Sequence, residues 1–206
     1  MIELFTKDLD KLEKLISLGY QNSLKSLSTI VQQVAQIKIE PLEIWDVTQK
    51  RTFVKTKSDN ISVLTTNIKG EIEGRSYLLL DDNEVDALVK HCKAPTNLKE
   101  AFLLELDNML AAAVITVFSN YCQLKIYGDV PQYTQVTGNH LMNFIIKDLE
   151  GVTNFDGICL VAETHFVFDG NLEIKPQFLW FLPKQFVQAV HCLLYTSDAA
   201  DDSLRV

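Results

Sequence analysis

The sequence predicts an α+β fold in which a duplicated helix–strand–hairpin–helix unit builds one largely antiparallel sheet with long helices packed on it. Three observations predict it. Helical and strand periodicities alternate along the chain, the same order of elements occurs twice, and the composition supports a sizeable core. Hydrophobic residues make up 47% of the 206 residues, with only 8 Gly and 5 Pro, which excludes a disordered or collagen-like chain. A unit of this kind cannot bury both faces of its own sheet, so the two copies are expected to share one. A single domain over 1–191 follows, with repeats at about 8–92 and 98–190.

The first repeat opens at 8–35, where Leu9, Leu12, Leu15, Ile16, Leu24, Leu27, Ile30, Val31 and Val34 recur near helical spacing. One long helix is expected, with Gly19 as a point where it could break. In 37–47, Ile37 and Ile39, then Leu42 and Ile44, alternate as in a strand interrupted at Pro41, which has no ladder donor. A polar loop or short strand follows. Residues 61–82 read as two strands joined around Gly70 or Gly74, and 83–92 as a helix capped by Asp82 or Asn83. After 93–97 the pattern restarts: a helix from Leu98 to about Tyr121, a strand at 124–136, a helix at 140–151, strands at 158–168 and 171–182, and a helix at 183–190.

An offset of 90 lays Leu18 on Asn108, Leu24 on Val114 and Pro41 on Pro131. An offset of 101 lays Tyr77 and Leu78 on Phe178 and Leu179, and Ala87 on Gln188. The growth of the offset localises an insertion in the second repeat, with 140–151 as the candidate.

The net charge of -8 and the lack of a Lys/Arg cluster with interleaved aromatics argue against nucleic acid. The N-terminal stretch has acidic residues where a secretory signal needs a basic start. The richest apolar run, Met109 to Phe118, is about half the length of a bilayer span, so a cytoplasmic protein without membrane insertion is expected. Cys92, Cys122, Cys159 and Cys192 lie far apart without metal or redox spacing and read as buried thiols. Residues 192–206 look like translated adapter sequence. Without Asp198, Asp201, Asp202 and Arg205 the balance is 18 basic against 24 acidic residues, or -6, and the acidic character stands.

The chemistry is sought on the helix at 98–121. Its residues 102, 103, 104, 106, 109, 110, 114, 117 and 118 are large and apolar, and against them Glu105 and Asn108 stand out. Three residues apart on a helix, they share one face, with the small Ala101 and Ala112 a turn away on either side. An interior Asn costs a few tenths of a kcal/mol, roughly, relative to Leu, because its amide competes for backbone hydrogen bonds. Two readings follow. Asp107 and Asn108 mark a merely solvated stripe, or Asn108 positions a water while Glu105 engages a cation.

The stretch from Leu103 to Pro131 resembles the E-x-x-N-x22-P signature of the CheC/CheX/FliY chemotaxis phosphatases, met by Glu105, Asn108 and Pro131. The segments 70–80 and 178–186 look like that family's hairpin strands and short helices, and the similarity covers about residues 8–190. The fuller signature begins with Asp or Ser four residues before the Glu, where this chain has Ala101. In the first repeat, anchoring on Pro41 puts Leu15 and Leu18 at the Glu and Asn positions, and anchoring on Glu13 puts Ile16 at the Asn position. Neither supplies an Asn, so one site is expected.

The resemblance implies hydrolysis of the aspartyl phosphate of a CheY-like response regulator. Such a reaction has a loose, in-line transition state, and positioning water is most of what an auxiliary protein can add. Asn108 would accept from the water and donate to a phosphoryl oxygen. Glu105 would pair with the regulator's active-site lysine. Magnesium would come with the regulator, this chain having no cofactor of its own. The rival reading is a CheC-like or flagellar-switch-like binding module for a response regulator or a CheD-type deamidase. His91, His140 and His165 lie far from any nucleophile motif, and 81–84 lacks the loop of an EF-hand.

Overall fold

In the segments 61–68 and 74–80 nearly every residue is apolar or small, so both faces of these strands can be buried. The computed structural model describes residues 6–31, 34–45, 59–150, 152, 158–168 and 172–191. It contains helix α1 (Thr6–Val31), strands β1 (Val34–Ile39), β2 (Glu43–Trp45), β3 (Ile61–Gly70) and β4 (Gly74–Asp81), and helix α2 (Asp82–His91). A 3-10 turn (Thr96–Leu98) leads into α3 (Lys99–Cys122), β5 (Ile126–Gly128), β6 (Gln132–Val136), α4 (Gly138–Glu150), β7 (Ile158–Phe168), β8 (Leu172–Ile174) and β9 (Gln177–Leu182). A last helix, α5, covers 184–191. The expectations for 192–206 and for most of the loop after β2 fall outside the described residues.

The strand order is β1-β7-β9-β4-β3-β5, with β2 also on β7, β6 on β3 and β8 on β7, and every pair is antiparallel. Exchanging the two repeats, so that β1 becomes β5, β3 becomes β7 and β4 becomes β9, reverses this order onto itself. The sheet is thus the shared, duplicated structure that the sequence predicts. At its centre Tyr77 faces Leu179 and Leu78 faces Phe178, while Ser76 faces Trp180 and Leu79 faces Gln177. Tyr77, Leu79, Leu179 and Phe181 share one face and Leu78, Phe178 and Trp180 the other, so Tyr77 corresponds to Leu179 and Leu78 to Trp180, one residue beyond the predicted offset of 101, which would exchange the faces. The extra length of the second repeat has two sources: α4, where the insertion was expected, and β8, which interrupts the second hairpin.

The alternation of the strands divides the interior. Leu64, Ile68, Leu78, Leu80, Leu160, Phe178, Trp180 and Leu182 face α1, α2, α3 and α5. Ile61, Val63, Tyr77, Leu79, Cys159, Leu179 and Phe181 face α4 through Leu141, Ile145 and Leu149. Asp148 secures α4, accepting from Tyr77 Oη and pairing with Arg75.

Helix α1 does not break at Gly19. The residue lies where α1 crosses α3, and a Cβ there would stand 2.5 Å from Val114 Cα. Helix α2 is capped by Asp81, one residue before the predicted positions. Asp81 Oδ1 accepts from Glu84 N at 2.9 Å and Glu84 Oε2 accepts from Asp81 N at 2.9 Å, a reciprocal capping box.

By length and composition alone the segment 96–122 could cross a membrane, its most apolar 18-residue window having mean hydropathy 1.8, which corrects the expectation that no stretch is long and apolar enough. Half of that window is buried inside the protein, and Leu103, Leu106, Leu110, Val114 and Phe118 of the helix serve the core. The apolar run of a core helix meets the same compositional test as a span.

Candidate functional site

Helix α3 lies over β3 and shows alternate sides of itself to the core and to solvent. Leu103, Leu106, Asp107, Leu110, Ala111 and Val114 are buried, while Ala101, Glu105, Asn108, Ala112 and Thr116 are exposed. The structure therefore brings Glu105 and Asn108 together on an open stripe, with the small Ala101 and Ala112 continuing it in both directions. Among the described residues neither side chain has a hydrogen bond or ion pair, so their polar groups are available to a ligand.

Pro131 joins the same neighbourhood through the ladder. Strand β6 pairs with β3 as far as Gln132 opposite Thr65, and β5 resumes at Gly128 opposite Ile68. Thr66 and Asn67 face the interruption at 129–131, where Asp129 N donates to Asn67 O at 2.8 Å. Proline, lacking an N–H, sits where no ladder bond is made. From Asn108 the chain runs along α3 for about 21 Å to Cys122. It turns through Gln123 at φ 54° and returns through the short strand β5 to the interruption at 129–131. Out along a helix and back along a strand, the spacing between Asn108 and Pro131 returns the chain to the level it left.

The gap is tied to the helix by a residue not singled out in the sequence. Thr66 Oγ1 donates to Asp107 Oδ2 at 2.7 Å. Asp107 is 0% exposed, so it does not mark a wet face beside Asn108, and its Oδ1 has no partner among the described residues. Burial pushes its carboxyl up to about 7, against the opposing pull of the Thr66 bond. Its only sequence signal is an acid at the phase of the core: positions 103, 106, 107, 110, 111 and 114 form one buried stripe.

Beside the gap Val130 is 78% exposed and Tyr127 is also exposed, two apolar groups on the same side of the molecule as the β5–β6 turn. Lys69 Nζ is hydrogen-bonded to Asp129, whose carboxylate also accepts from Val130 N; the ammonium holds the Asp129 carboxyl below its usual range. No group of three or more His, Cys, Asp or Glu that could hold a metal occurs among the described residues. Cys122 and Cys159 are buried and Cys92 half-buried; burial raises the Cys92 and Cys122 thiols to about 11. His140 bonds Thr137, and His165 pairs with Glu40, so neither joins the site.

The first repeat lacks the constellation, and its geometry revises which residues correspond. Leu12, Leu15, Ile16, Gly19, Tyr20 and Ser23 are buried on α1, the pattern of 103, 106, 107, 110, 111 and 114 on α3 displaced by 91 residues. The positions matching Glu105 and Asn108 are then Lys14 and Ser17, in place of Leu15 with Leu18 or of Ile16. In the ladder, β2 pairs with β7 up to Glu43 opposite Val161 and β1 resumes at Ile39 opposite Thr164. Glu40 N donates to Glu163 O at 2.9 Å, as Asp129 N does to Asn67 O. Pro41 accordingly occupies the place of Val130, and the counterparts of Asp107 and Thr66 are Ile16 and Ala162.

No family model matches the chain, and no curated protein matches it. Solved structures do. FliY of Thermotoga maritima superposes with a TM-score of 0.70 over 95% of this chain and 99% of its own, at 14% identity. The FliM middle domain of Vibrio alginolyticus gives 0.60 over 88% and 99%, at 12% identity. FliM from the H. pylori FliM–SpeE complex gives 0.65 over 92% and 97%, at 7% identity. The chain has the fold of the CheC/CheX/FliY group of chemotaxis and flagellar-switch proteins.

Proposed function

We propose that this chain is a cytoplasmic phosphatase that accelerates hydrolysis of the aspartyl phosphate on a CheY-like response regulator. The observation that carries the reading is the exposed, unengaged pair Glu105 and Asn108 beside the ladder gap at Pro131. The fold it shares with FliY supports the same direction.

Asn108 can do the positioning because its amide both accepts and donates and does not titrate near neutral pH. With the regulator docked, the Asn108 carbonyl oxygen holds the attacking water in line, and its N–H₂ faces a phosphoryl oxygen. Glu105, one helical turn earlier, pairs with the regulator's lysine and fixes the register of docking, a contact that contributes specificity more than affinity. Ala101 and Ala112 leave room for the regulator to approach the helix. The magnesium carried by the regulator neutralises the phosphoryl oxygens.

The test is the decay of a phosphorylated CheY-type regulator with and without this chain. Acceleration by the wild type and none by Asn108→Ala is expected; an Asn108→Ala variant as active as wild type overturns the mechanism. A second reading, a binding module for a regulator or a CheD-type deamidase, is favoured by Ala101, by the vacant first repeat and by the likeness to FliM, which forms a complex with SpeE. It predicts a stable complex with a beryllofluoride-activated regulator and an unchanged rate of phosphoryl loss.

A further inference from the structure

Beneath the exposed pair lies a row of buried polar groups. Thr66 on β3 faces Ser76 on β4, and Ser76 faces Trp180 on β9, so all three side chains point to the helix-bearing face. Thr66 reaches up to Asp107 on α3, and Trp180 Nε1 donates to Tyr20 Oη on α1 at 3.2 Å. Asp107 Oδ1 and Ser76 Oγ are buried without a partner among the described residues. A carboxyl with half its capacity unused is costly inside a core and does not persist for packing alone. The pseudo-equivalent places in the first repeat, Ile16 and Ala162, show that an apolar pair satisfies the same fold.

We propose that Asp107 is the positioning residue of the site: its carboxyl, held by the Thr66 hydroxyl in the ladder gap, sets the rotation of the α3 turn that presents Glu105 and Asn108. The inference rests on the reading of that pair as the working site. Asp107 sits between the two on the helix and points the opposite way, so the Thr66 bond fixes the turn from beneath. A neutral carboxyl keeps the turn seated. An ionised one draws it towards water and turns the exposed pair away from its docked orientation.

The groups around Asp107 make its own proton the deciding one. On α1 the titratable neighbour is Tyr20, whose hydroxyl burial holds well above its usual range and which feels the Asp107 charge. Strands β3 and β4 offer the hydroxyls of Thr66 and Ser76, and β9 the Trp180 indole. The charges of β3 and of the turn after β5, Lys69 and Asp129, are exposed and bonded to each other. Tyr127 of β5 is exposed, and Tyr133 of β6 is hydrogen-bonded to Ser62. On α3 itself Glu105 faces solvent.

The experiment reads Asn108 directly, by NMR of its side-chain amide and by hydrogen exchange of the amides of 105–109, between pH 5.5 and 8.5 and with no regulator present. In the wild type the Asn108 signals should move with one inflection near pH 7 and exchange should quicken above it, beyond the intrinsic rise. In Asp107→Asn, whose amide oxygen still accepts from Thr66, both should stay at the wild-type low-pH values. In Asp107→Leu the signals should differ from wild type at every pH. With a phosphorylated regulator, Asp107→Asn should keep the acceleration to pH 8.5, and Asp107→Leu should lose at least tenfold in the maximal rate with the half-saturating regulator concentration within about twofold. An Asn108 signal that ignores pH while the Asp107 carboxyl titrates, or that is unchanged in Asp107→Leu, overturns the inference. Lack of hydrolysis by the wild type would instead overturn the phosphatase reading, and the amide measurements still decide the role of Asp107.

Discussion

The two helices at the pseudo-twofold centre share one burial phase and carry different chemistry. At offset 91, α1 has Lys14, Ile16 and Ser17 where α3 has Glu105, Asp107 and Asn108, so a charge is inverted, a buried acid becomes aliphatic and an amide becomes a hydroxyl. Beneath them Ala162 stands where Thr66 stands. The fold accepts both sets, which separates what the sheet needs, an apolar stripe at that phase, from what only one half needs. The polar set is therefore the part of α3 that the fold itself does not require.

The largest effect should come from the buried acid. Asp107 moves from its ordinary 3.8 to about 7 in the folded chain. A folded value above the unfolded one means that stability is fully present below about pH 4 and is lost as pH rises through about 7. Across that window the loss amounts to at most about 4 kcal/mol. Denaturant unfolding of wild type between pH 4 and 8 should show the fall, and Asp107→Leu should abolish it. At pH 8 the variant should be the more stable by about 2 kcal/mol, since the orphaned Thr66 hydroxyl costs about 1–3 kcal/mol of the gain. A wild type with no such slope would show that the carboxyl is solvated and the contrast with Ile16 is trivial.

Asn108→Ala comes next. The catalysed decay of a phosphorylated regulator should slow by about 100-fold, as when a positioned polar group is removed from a transition state. Unfolding should move by less than about 0.5 kcal/mol because the side chain is exposed. A large stability change with equal activity would return Asn108 to the class of ordinary helix residues.

A third variant addresses what the halves do share. Gly19 matches Leu110 in burial phase, yet it is the point of closest approach between the helices, with Val114 backbone 2.5 Å from a Cβ added there. Gly19→Ala gains about 1 kcal/mol of helix propensity and forces α1 off α3, for a net loss of about 1–2 kcal/mol in thermal unfolding. An unchanged midpoint would mean that the crossing has slack.

These cases show what the sequence disclosed and what it withheld. The duplicated order, the shared antiparallel sheet and the exposure of Glu105 and Asn108 were legible because periodicity and spacing are local. Correspondence between the repeats was not. Pro41 and Pro131 invite an offset of 90, but the ladder places Pro41 with Val130 and the helices match at 91, because register depends on pairing across the sheet. The α2 cap was misplaced by one residue for a similar reason, since Asp81, Asp82 and Asn83 are all competent caps and only the seat of Glu84 selects among them. Asp107 was hidden by its neighbour: next to an exposed Asn an acid reads as surface, and only the helix phase, set by packing on β3, shows that it points inwards.

The smallest expected effect is the sharpest test of the comparison. Lys14→Glu with Ser17→Asn, made in the Asn108→Ala background, writes the exposed pair onto α1 with an exposed turn at Glu40–Pro41 beside β7. If residue identity on the helix face were sufficient, the double change would restore hydrolysis. The support beneath remains Ile16 over Ala162, with no hydroxyl to hold a carboxyl and no carboxyl to be held. The expected result is a dephosphorylation rate within about twofold of Asn108→Ala, with unfolding changed by less than about 0.5 kcal/mol because both positions lie on the solvent side. Rescue above tenfold would show that the buried Asp107–Thr66 contact is dispensable and that the asymmetry of the halves resides in the two exposed residues alone.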